Sequence, residues 1–334
     1  MIVLCTSISY KTKDHYFGQN LDLDYSYHET VTITPRNKSF KLTHLNTIKQ
    51  HLAMIGIAFV VDGYPLYYDA TNEKGLSIAG LNFPDNAHYN ESIEGKYNVG
   101  SFEFIPWILS TCSTVQQARK LLENVNITTD SFSEDLPPSP LHWMISDRKE
   151  TIVFEQTAQG GTIYDNPVGV LTNNPTFDYH LEHLTDYMIM MCSSYPPQNN
   201  FSKELDLKPH CSGMGAIGLP GDLSSASRFV KAAFTKLNAL SGDSESESVT
   251  QFFKILHSVE QQKGANRTKQ DNESQWQSEY TIYTSCCNTD RGIYYYTTYN
   301  NSQISYIDMH QEDLDGTEVV SYDLIMTQQF HHQQ

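Results

Sequence analysis

Two groups of strand-like segments, one early and one late in the chain, constrain the fold more than any other feature of this sequence. Each segment alternates apolar and polar residues or is rich in β-branched residues, and turn residues bound it. The early group comprises residues 2–10, 30–34, 55–61, 76–81, 141–146 and 151–154. The late group comprises residues 280–285, 292–299, 303–308 and 319–324. Asparagine-containing turn signals between the late segments predict a meander.

Helical patterns lie between the two strand groups, at residues 102–111, 114–124, 224–240 and 249–262. A capping box formed by Ser113 and Gln116 precedes the second of these patterns. The polar stretch 242–247 and the proline-rich stretch 135–140 are predicted to be loops. Two strand groups with inserted helices predict an α+β layered architecture, and the absence of an internal repeat predicts a single domain.

The charge balance restricts the class of partner. Lys plus Arg number 22 and Asp plus Glu number 39, which gives a net charge of −17. Such a charge opposes electrostatic capture of nucleic acid or of an anionic membrane surface, so a small molecule or a peptide is the expected partner. No apolar run reaches the roughly 18 residues of a membrane-spanning helix, and no signal peptide precedes the first strand. We therefore expect a cytoplasmic protein.

Three patterns that resemble binding sites lack the context that such sites require. The six cysteines are scattered without a CxxC pair, so neither a disulfide framework nor a zinc site is indicated. The GxGxxG pattern at residues 213–218 follows no apolar strand, and a turn cluster is the expected structure. His180 and His183 lack a third metal ligand and are expected at the surface. We expect no metal and no cofactor.

Cys5 is distinctive because of its position near the start of the first strand. Removal of residues 1–4 as a leader would expose its thiol beside its own α-amine. The reference pKa values of an α-amine, about 7.7 to 8.0, and of a cysteine, about 8.5, allow proton exchange near neutral pH. From position alone, a small buried core residue is the alternative interpretation of Cys5.

Several longer motifs occur in one order along the chain. They are YFGQNLD at 16–22, VTITPRN at 31–37, GLNFP at 80–84, FEFIPW at 102–107, NPVGVLTNNPTFDYH at 166–180, GLPGDLSSASRF at 218–229 and YTIYTSCCN at 280–288. In these motifs the sequence resembles the choloylglycine hydrolase family of N-terminal-nucleophile hydrolases, and its bile salt hydrolases more than its penicillin V acylases. The resemblance implies a four-layer αββα sandwich, with two antiparallel sheets between helix layers, over residues 5–334. It also implies a homotetramer that hydrolyses the amide bond of glycine- or taurine-conjugated bile acids.

The resemblance assigns roles to individual residues. Cys5 matches the nucleophile of the family, and Asp22 matches the aspartate that contacts the α-amine. Asn82 and Asn173 match positions whose amide groups stabilise the negative charge on the attacked carbonyl oxygen. Arg228 matches an arginine that would favour the thiolate.

The substrate is expected to lie against an apolar wall, because a steroid offers little for polar groups to bind. The candidates for this wall are Leu21, Phe59, Phe132 and Leu136, of which Phe59 is equally well explained as ordinary core. Penicillin V acylases tend to have tyrosine at the position of Asn82, so the asparagine favours bile salts. A penicillin V acylase or an N-acyl-homoserine-lactone acylase remains the nearest alternative.

Two departures from the family pattern bear on activity. Gln19 stands where bile salt hydrolases usually have arginine, which removes a positive charge and should lower the thiolate fraction or raise the pH optimum. In close bile salt hydrolases the cysteine follows the initiator methionine directly, whereas here Leu4 must be cut from Cys5. Without that cut the α-amine stays in a peptide bond, and a catalytically silent relative that binds bile acid is the alternative of another class.

Overall fold

The computed structural model describes residues 4–194, 199–268 and 276–334, and the leader positions 1–3 lie outside these ranges. In chain order the strands are β1 (Leu4–Lys11), β2 (His15–Leu23), β3 (Thr30–Thr34), β4 (Met54–Val61), β5 (Tyr64–Asn72), β6 (Ser77–Asn82), β7 (Tyr97–Gly100), β8 (Val125–Thr128), β9 (Leu141–Ser146), β10 (Thr151–Thr157), β11 (Gly160–Asp165), β12 (Val170–Leu171), β13 (Asn266–Thr268), β14 (Gln277–Asn288), β15 (Ile293–Thr298), β16 (Asn301–Asp308) and β17 (Val320–Asp323). The α-helices are α1 (Phe104–Thr111), α2 (Val115–Leu122), α3 (Phe177–His183), α4 (Ser225–Leu237) and α5 (Glu245–His257). Short 3-10 helices span Leu184–Tyr187, Met214–Ala216 and Met309–Gln311.

Most strands belong to two antiparallel sheets. The first sheet has the order β12-β1-β2-β14-β15-β16, and β13 extends it beside β14. The second sheet has the order β11-β10-β9-β6-β5-β4-β3-β17. A separate parallel pair joins β7 and β8.

The two sheets face each other, with β1 and β2 of the first packed on β6 of the second. Helices α4 and α5 cover the outer face of the first sheet, and α1 and α2 cover the second. One apolar cluster fills the space between the sheets and under α4 and α5, and another lies under α1. The predicted αββα architecture of two antiparallel sheets between helix layers is therefore confirmed.

The structure corrects some predicted boundaries. Thr114, not Ser113, caps α2, because the Thr114 side chain accepts the backbone N–H of Gln117. Helix α5 begins at Glu245, inside the stretch 242–247 that was expected to be a loop. Ser244 and Glu247 form a capping box there, which starts the helix before its first apolar residue.

Strand β2 was not predicted, although it lies at the centre of the first sheet between β1 and β14. All of its residues are buried, including the polar Gln19, Asn20 and Asp22. Buried polar side chains hide the alternation that identifies a half-exposed strand. None of the helices in the described ranges is long and apolar enough to cross a membrane.

The close contact of β2 with β14 depends on Gly18. A Cβ atom at this position would lie 2.1 Å from the carbonyl oxygen of Ser285, which belongs to the neighbouring strand and cannot rotate away. Gly18→Ala should therefore lower the free energy of unfolding by at least about 2 kcal/mol, measured by urea denaturation. Gly221→Ala is the matched control, since nothing lies within 4 Å of a Cβ there. Equal stability of the two variants would contradict this packing.

Candidate active site

Cys5 lies near the start of β1, where the antiparallel register places Leu21 of β2 directly opposite. Leu4 precedes it in the same strand and pairs with Asp22. Only 1% of the Cys5 surface is exposed. The thiol is therefore closed off from solvent in this chain.

The backbone of Cys5 is held on both sides by polar side chains. Its N–H donates to Asn173 Oδ1 at 2.9 Å, and its carbonyl oxygen accepts from Arg228 Nη1 at 2.5 Å. Arg228 Nη2 also donates to Asn173 Oδ1, at 2.7 Å. These three residues, from three separate elements, form one hydrogen-bonded cluster.

Asn173 follows β12 and is fixed by contacts in several directions. Its backbone N–H donates to Ser225 Oγ at 2.9 Å, and its amide Nδ2 donates to the carbonyl oxygen of Asn82 at 2.8 Å. His180 Nε2 lies 2.9 Å from the Asn173 carbonyl oxygen. The amide group of Asn173 thus bridges Cys5 on the first sheet and Asn82 on the second.

Arg228 lies in the first turns of α4 and is buried, with 1% of its surface exposed. Besides Cys5 and Asn173, its guanidinium donates to Thr6 Oγ1 at 2.6 Å and to the Leu223 carbonyl oxygen at 3.0 Å. Burial lowers the pKa of Arg228, and the negative charge of Asp22 opposes that shift. A buried guanidinium needs such a full set of acceptors because its desolvation is costly.

The Asp22 carboxylate is also buried, and its hydrogen-bond donors are Thr281 Oγ1 at 2.6 Å and Gln261 Nε2 at 3.1 Å. Burial raises its pKa to about 6, against the opposing effects of Arg228 and the two donors. The structure places Asp22 beside Cys5, and its carboxylate accepts from Thr281 and Gln261, whereas the Cys5 N–H donates to Asn173.

Burial raises the pKa of the Cys5 thiol to about 12, and the charge of Asp22 adds to this shift. The backbone N–H groups of Asp22 and Asn82, together with the Arg228 charge, act in the opposite direction. In the chain that retains Leu4, the thiol is therefore protonated at neutral pH.

His180 corrects the expectation that both histidines of its motif lie at the surface. It is fully buried and supports Asn173, whereas His183 is partly exposed and pairs with Asp186 at 3.0 Å. Burial lowers the pKa of His180 to about 4, so the ring is neutral. Thr6, Ser225, Gln261 and Thr281 were likewise not singled out from the sequence. Of these supports, His180, Ser225 and Thr281 lie inside the recognised motifs, whereas Thr6 and Gln261 lie outside them.

Gln19 belongs to a polar cluster between the sheets. Its Nε2 donates to Asp69 Oδ2 at 3.1 Å and to the Tyr283 hydroxyl at 3.4 Å. Ser285 Oγ donates to the same carboxylate at 3.2 Å, and Tyr294 also donates to it. Burial raises the pKa of Asp69 to about 6, and the hydrogen bonds from these neutral donors oppose that shift only in part.

The candidate apolar wall residues have different surroundings in the fold. Leu21 lies opposite Cys5, and Phe59 packs near Tyr27 with 6.1 Å between ring centroids. Phe132 packs against Tyr64 and Phe102, each at 5.4 Å, and its backbone bonds to Leu136. The sequence did not indicate Tyr68 as a residue of this site. Burial raises the pKa of Tyr68, and nearby charges, among them that of Cys5, add to the shift.

The comparisons with known proteins agree over nearly the whole chain. The family described as linear amide C–N hydrolases, choloylglycine hydrolase family, matches residues 5–322. A bile salt hydrolase/transferase of Lactiplantibacillus plantarum is 51% identical over 98% of this chain and 99% of its own. A bile salt hydrolase/transferase of Clostridium perfringens is 39% identical over 98% of this chain and 99% of its own.

Solved structures give the same result. A crystal structure of a variant conjugated bile acid hydrolase from Clostridium perfringens has a TM-score of 0.89 and 37% identity, and covers 99% of this chain and 100% of its own. A penicillin V acylase from Agrobacterium tumefaciens has a TM-score of 0.73 at 18% identity, and covers 96% of this chain and 91% of its own. The second likeness concerns the fold alone.

The buried Asp69 predicts a pH dependence of stability. Its pKa in the fold is about 6, above the unfolded value of about 3.9. A raised carboxyl pKa stabilises the fold below the unfolded pKa, and that contribution is lost as the pH rises through the folded pKa. Relative to Asp69→Asn, the unchanged protein should lose about 3 kcal/mol of unfolding free energy between about pH 4 and pH 7.

Urea denaturation at several pH values measures this difference. Asp243→Asn, a change at an exposed carboxylate in the loop before α5, is the control and should run parallel to the unchanged protein. Parallel curves for Asp69→Asn as well would show that Asp69 does not ionise in this range.

Proposed function

The chain belongs to the choloylglycine hydrolase family of linear amide C–N hydrolases, and from this premise we propose that it hydrolyses glycine- and taurine-conjugated bile acids through Cys5. The observation that supports this most directly is the cluster in which the Cys5 N–H donates to Asn173 and the Cys5 carbonyl oxygen accepts from Arg228. A cysteine that only fills space in the core does not require these two side-chain hydrogen bonds to its backbone. The named activities of the relatives support the bile acid substrate.

The first step is removal of the leader, residues 1–4, which leaves residues 5–334 as the mature domain. The Cys5 sulfur attacks the Leu4 carbonyl carbon, the peptide bond to the Cys5 nitrogen breaks, and the acyl group passes to sulfur. Water then hydrolyses that thioester, which releases the leader and frees both the thiol and the α-amine. The family match beginning at Cys5 supports this boundary.

Cleavage changes the conditions that suppress the thiolate. In the uncleaved chain burial raises the pKa of the thiol to about 12, and we propose that loss of the residue next to Cys5 relieves part of that burial. The new α-amine has a reference pKa of about 7.7 to 8.0, so it can accept the thiol proton near neutral pH. In the uncleaved chain Asn173 Oδ1 lies 2.9 Å from this nitrogen, in position to orient the amine toward the sulfur.

The thiolate then attacks the amide carbonyl of the substrate, and negative charge develops on its oxygen. The Asn82 backbone N–H points toward the Cys5 sulfur, and the Asn173 amide lies between Cys5 and Asn82. These groups supply hydrogen-bond donors for the oxyanion. The ammonium of Cys5 protonates the departing glycine or taurine nitrogen, and water hydrolyses the bile acyl thioester.

Arg228 and Asp22 act on charge and position. Arg228 brings a fixed positive charge to the thiol and holds the Cys5 carbonyl oxygen, while Asp22 balances that charge from β2. Gln19 adds no charge to this set, because its side chain is a neutral amide, and that amide donates to Asp69 and Tyr283. Thiolate formation therefore depends on Arg228 and the α-ammonium, and we expect a pH optimum above that of relatives with arginine at this position.

The names of two relatives favour a second activity at the same thioester, since they are called hydrolase/transferase. An amine that replaces water would take the bile acyl group and form a new amide. Addition of an amino acid to a reaction with glycodeoxycholate tests this, since a newly conjugated product is expected.

Two further proposals concern the oligomeric state and the cellular location of the protein. We propose a homotetramer in the cytoplasm, on the basis of the family resemblance. Large exposed apolar side chains near one another in sequence, Met188, Ile189 and Phe201, each more than 80% exposed, support self-association. Light scattering of the purified protein and fractionation of the producing cells test these two points.

The substrate is tested by assaying glycodeoxycholate, taurodeoxycholate and penicillin V with one preparation. We expect release of glycine or taurine to exceed penicillin V cleavage, and Cys5→Ala to abolish release while the fold is kept. Cys192→Ala, which changes an exposed cysteine, is the control and should keep full activity. Preferred cleavage of penicillin V would identify an acylase instead, and bile acid binding without product would identify a silent relative.

Asn173→Ala tests the oxyanion and positioning role. Loss of one such donor typically lowers kcat by about 10²- to 10³-fold, and intact mass determines separately whether the leader is still removed. The neighbouring Asn174→Ala is the matched control, because Asn174 donates to Pro84 instead of bridging Cys5 and Asn82. A kcat within about threefold of the unchanged protein for Asn173→Ala would rule out this role.

A further inference from the structure

A cavity of about 490 Å³ lies at the end of β1 opposite to Cys5. Ser9 and Lys11 of β1, the β9–β10 turn, the loop after β11 and Lys236 of α4 line it. Cys5 is not among the lining residues, so this cavity is separate from the candidate active site. Its volume is in the range of small-molecule sites.

The charge of this cavity contrasts with the net charge of −17. Its lining has four cationic side chains, Lys11, Arg148, Lys149 and Lys236, and three carboxylates, Asp147, Glu150 and Asp165. Cations therefore predominate here in a strongly acidic protein.

The carboxylates of the lining already have partners. Asp147 accepts the backbone N–H groups of Val115, Lys149 and Glu150 at 2.7 to 3.1 Å. Glu150 and Asp165 both accept from Arg119, at 3.3 and 2.6 Å. These contacts engage all three carboxylates, although the Asp165 side chain remains 83% exposed.

The lysines are not paired in this way. Arg148 pairs with Asp290, whereas Lys11, Lys149 and Lys236 form no ion pair with any described residue. The ammonium of Lys236 is mostly buried and donates to the Val168 carbonyl oxygen at 2.6 Å. Burial alone lowers the pKa of Lys236 to about 8, since no neighbouring carboxylate opposes the shift.

The floor of the cavity offers neutral polar groups. Ser9 Oγ lies 2.9 Å from His15 Nε2, and Ser146 Oγ connects this pair to Thr151 Oγ1 at 2.8 Å. Burial lowers the pKa of His15 to about 4, so the imidazole is uncharged. Hydroxyl groups that rotate to donate, beneath three unpaired ammonium groups, suit a ligand with several acceptor oxygens.

We propose that this cavity binds a small multiply charged oxyanion, of the phosphate or phosphate monoester class, with the partly buried Lys236 as its main cationic contact. Such a ligand supplies the ion-pair partner that the lysine side chains lack among the described residues.

The cavity is lined by the same three parts of the chain that form the Cys5 cluster. Ser9 shares β1 with Cys5, Gly169 shares the segment 166–173 with Asn173, and Lys236 shares α4 with Arg228. A ligand bound among these residues ties together the same three elements that form the Cys5 cluster. Occupancy should therefore stabilise the whole fold.

Inorganic phosphate is the probe, compared with sodium chloride at equal ionic strength. At concentrations about tenfold above Kd, phosphate should raise Tm by roughly 2 °C. Isothermal titration calorimetry should give one site per chain. A phosphate monoester, such as glycerol phosphate, distinguishes the free anion from its esters by relative affinity. No heat of binding and no Tm shift beyond that of chloride would overturn the proposal.

Lys236→Gln should weaken phosphate binding by roughly tenfold, as expected for loss of one charge-assisted contact. Lys254→Gln removes the same charge from an exposed position on α5 and should bind as the unchanged protein does. If Lys236→Gln fails to fold, the exposed pair Lys11→Gln with Lys149→Gln takes its place and should also weaken binding. Equal affinity in the cavity variant and in Lys254→Gln would overturn the proposal.

Discussion

The rest of the site depends on the hydrogen bonds that the buried Arg228 guanidinium donates. A desolvated cation is stable only with acceptors around it, and here these come from Cys5, Thr6, Asn173 and Leu223. Satisfying this one group fixes the start of β1, the segment after β12 and the first turn of α4 together. The hydrogen bonds that satisfy Arg228 therefore also position the Cys5 thiol and the Asn173 amide.

A second constraint comes from the space between the sheets, which holds polar as well as apolar side chains. Asp22 and Asp69 are both buried, and burial raises the pKa of each to about 6. Only Asp22 has a cation near it, whereas Asp69 is surrounded by hydroxyl and amide donors that include Gln19. The same low-polarity setting holds the thiol protonated while Leu4 is attached. In the mechanism that we propose, removal of the leader would place the positive charge of the new α-ammonium beside this thiol.

The sequence predicted those parts of the fold in which one face is apolar. The strand predictions at 30–34 and 141–146 match β3 and β9 residue for residue. Strand β2 was missed because its polar residues Gln19, Asn20 and Asp22 are buried with hydrogen-bond partners from other parts of the chain. The alternation of apolar and polar residues does not reveal such partners. The motifs indicated Cys5, Asn173 and Arg228, and the structure brings these together. His180 was placed at the surface because its role, support of the Asn173 carbonyl, depends on tertiary packing alone.

The state of the N-terminus tests the central claim most directly, namely that Cys5 acts through its own freed α-amine. The measurement is intact mass and N-terminal sequence of the purified protein, followed by glycine release from glycodeoxycholate on the same sample. The account predicts a chain that begins at Cys5 and releases glycine, with activity in proportion to the processed fraction. A chain that retains residues 1–4 and hydrolyses the substrate at full rate would contradict it.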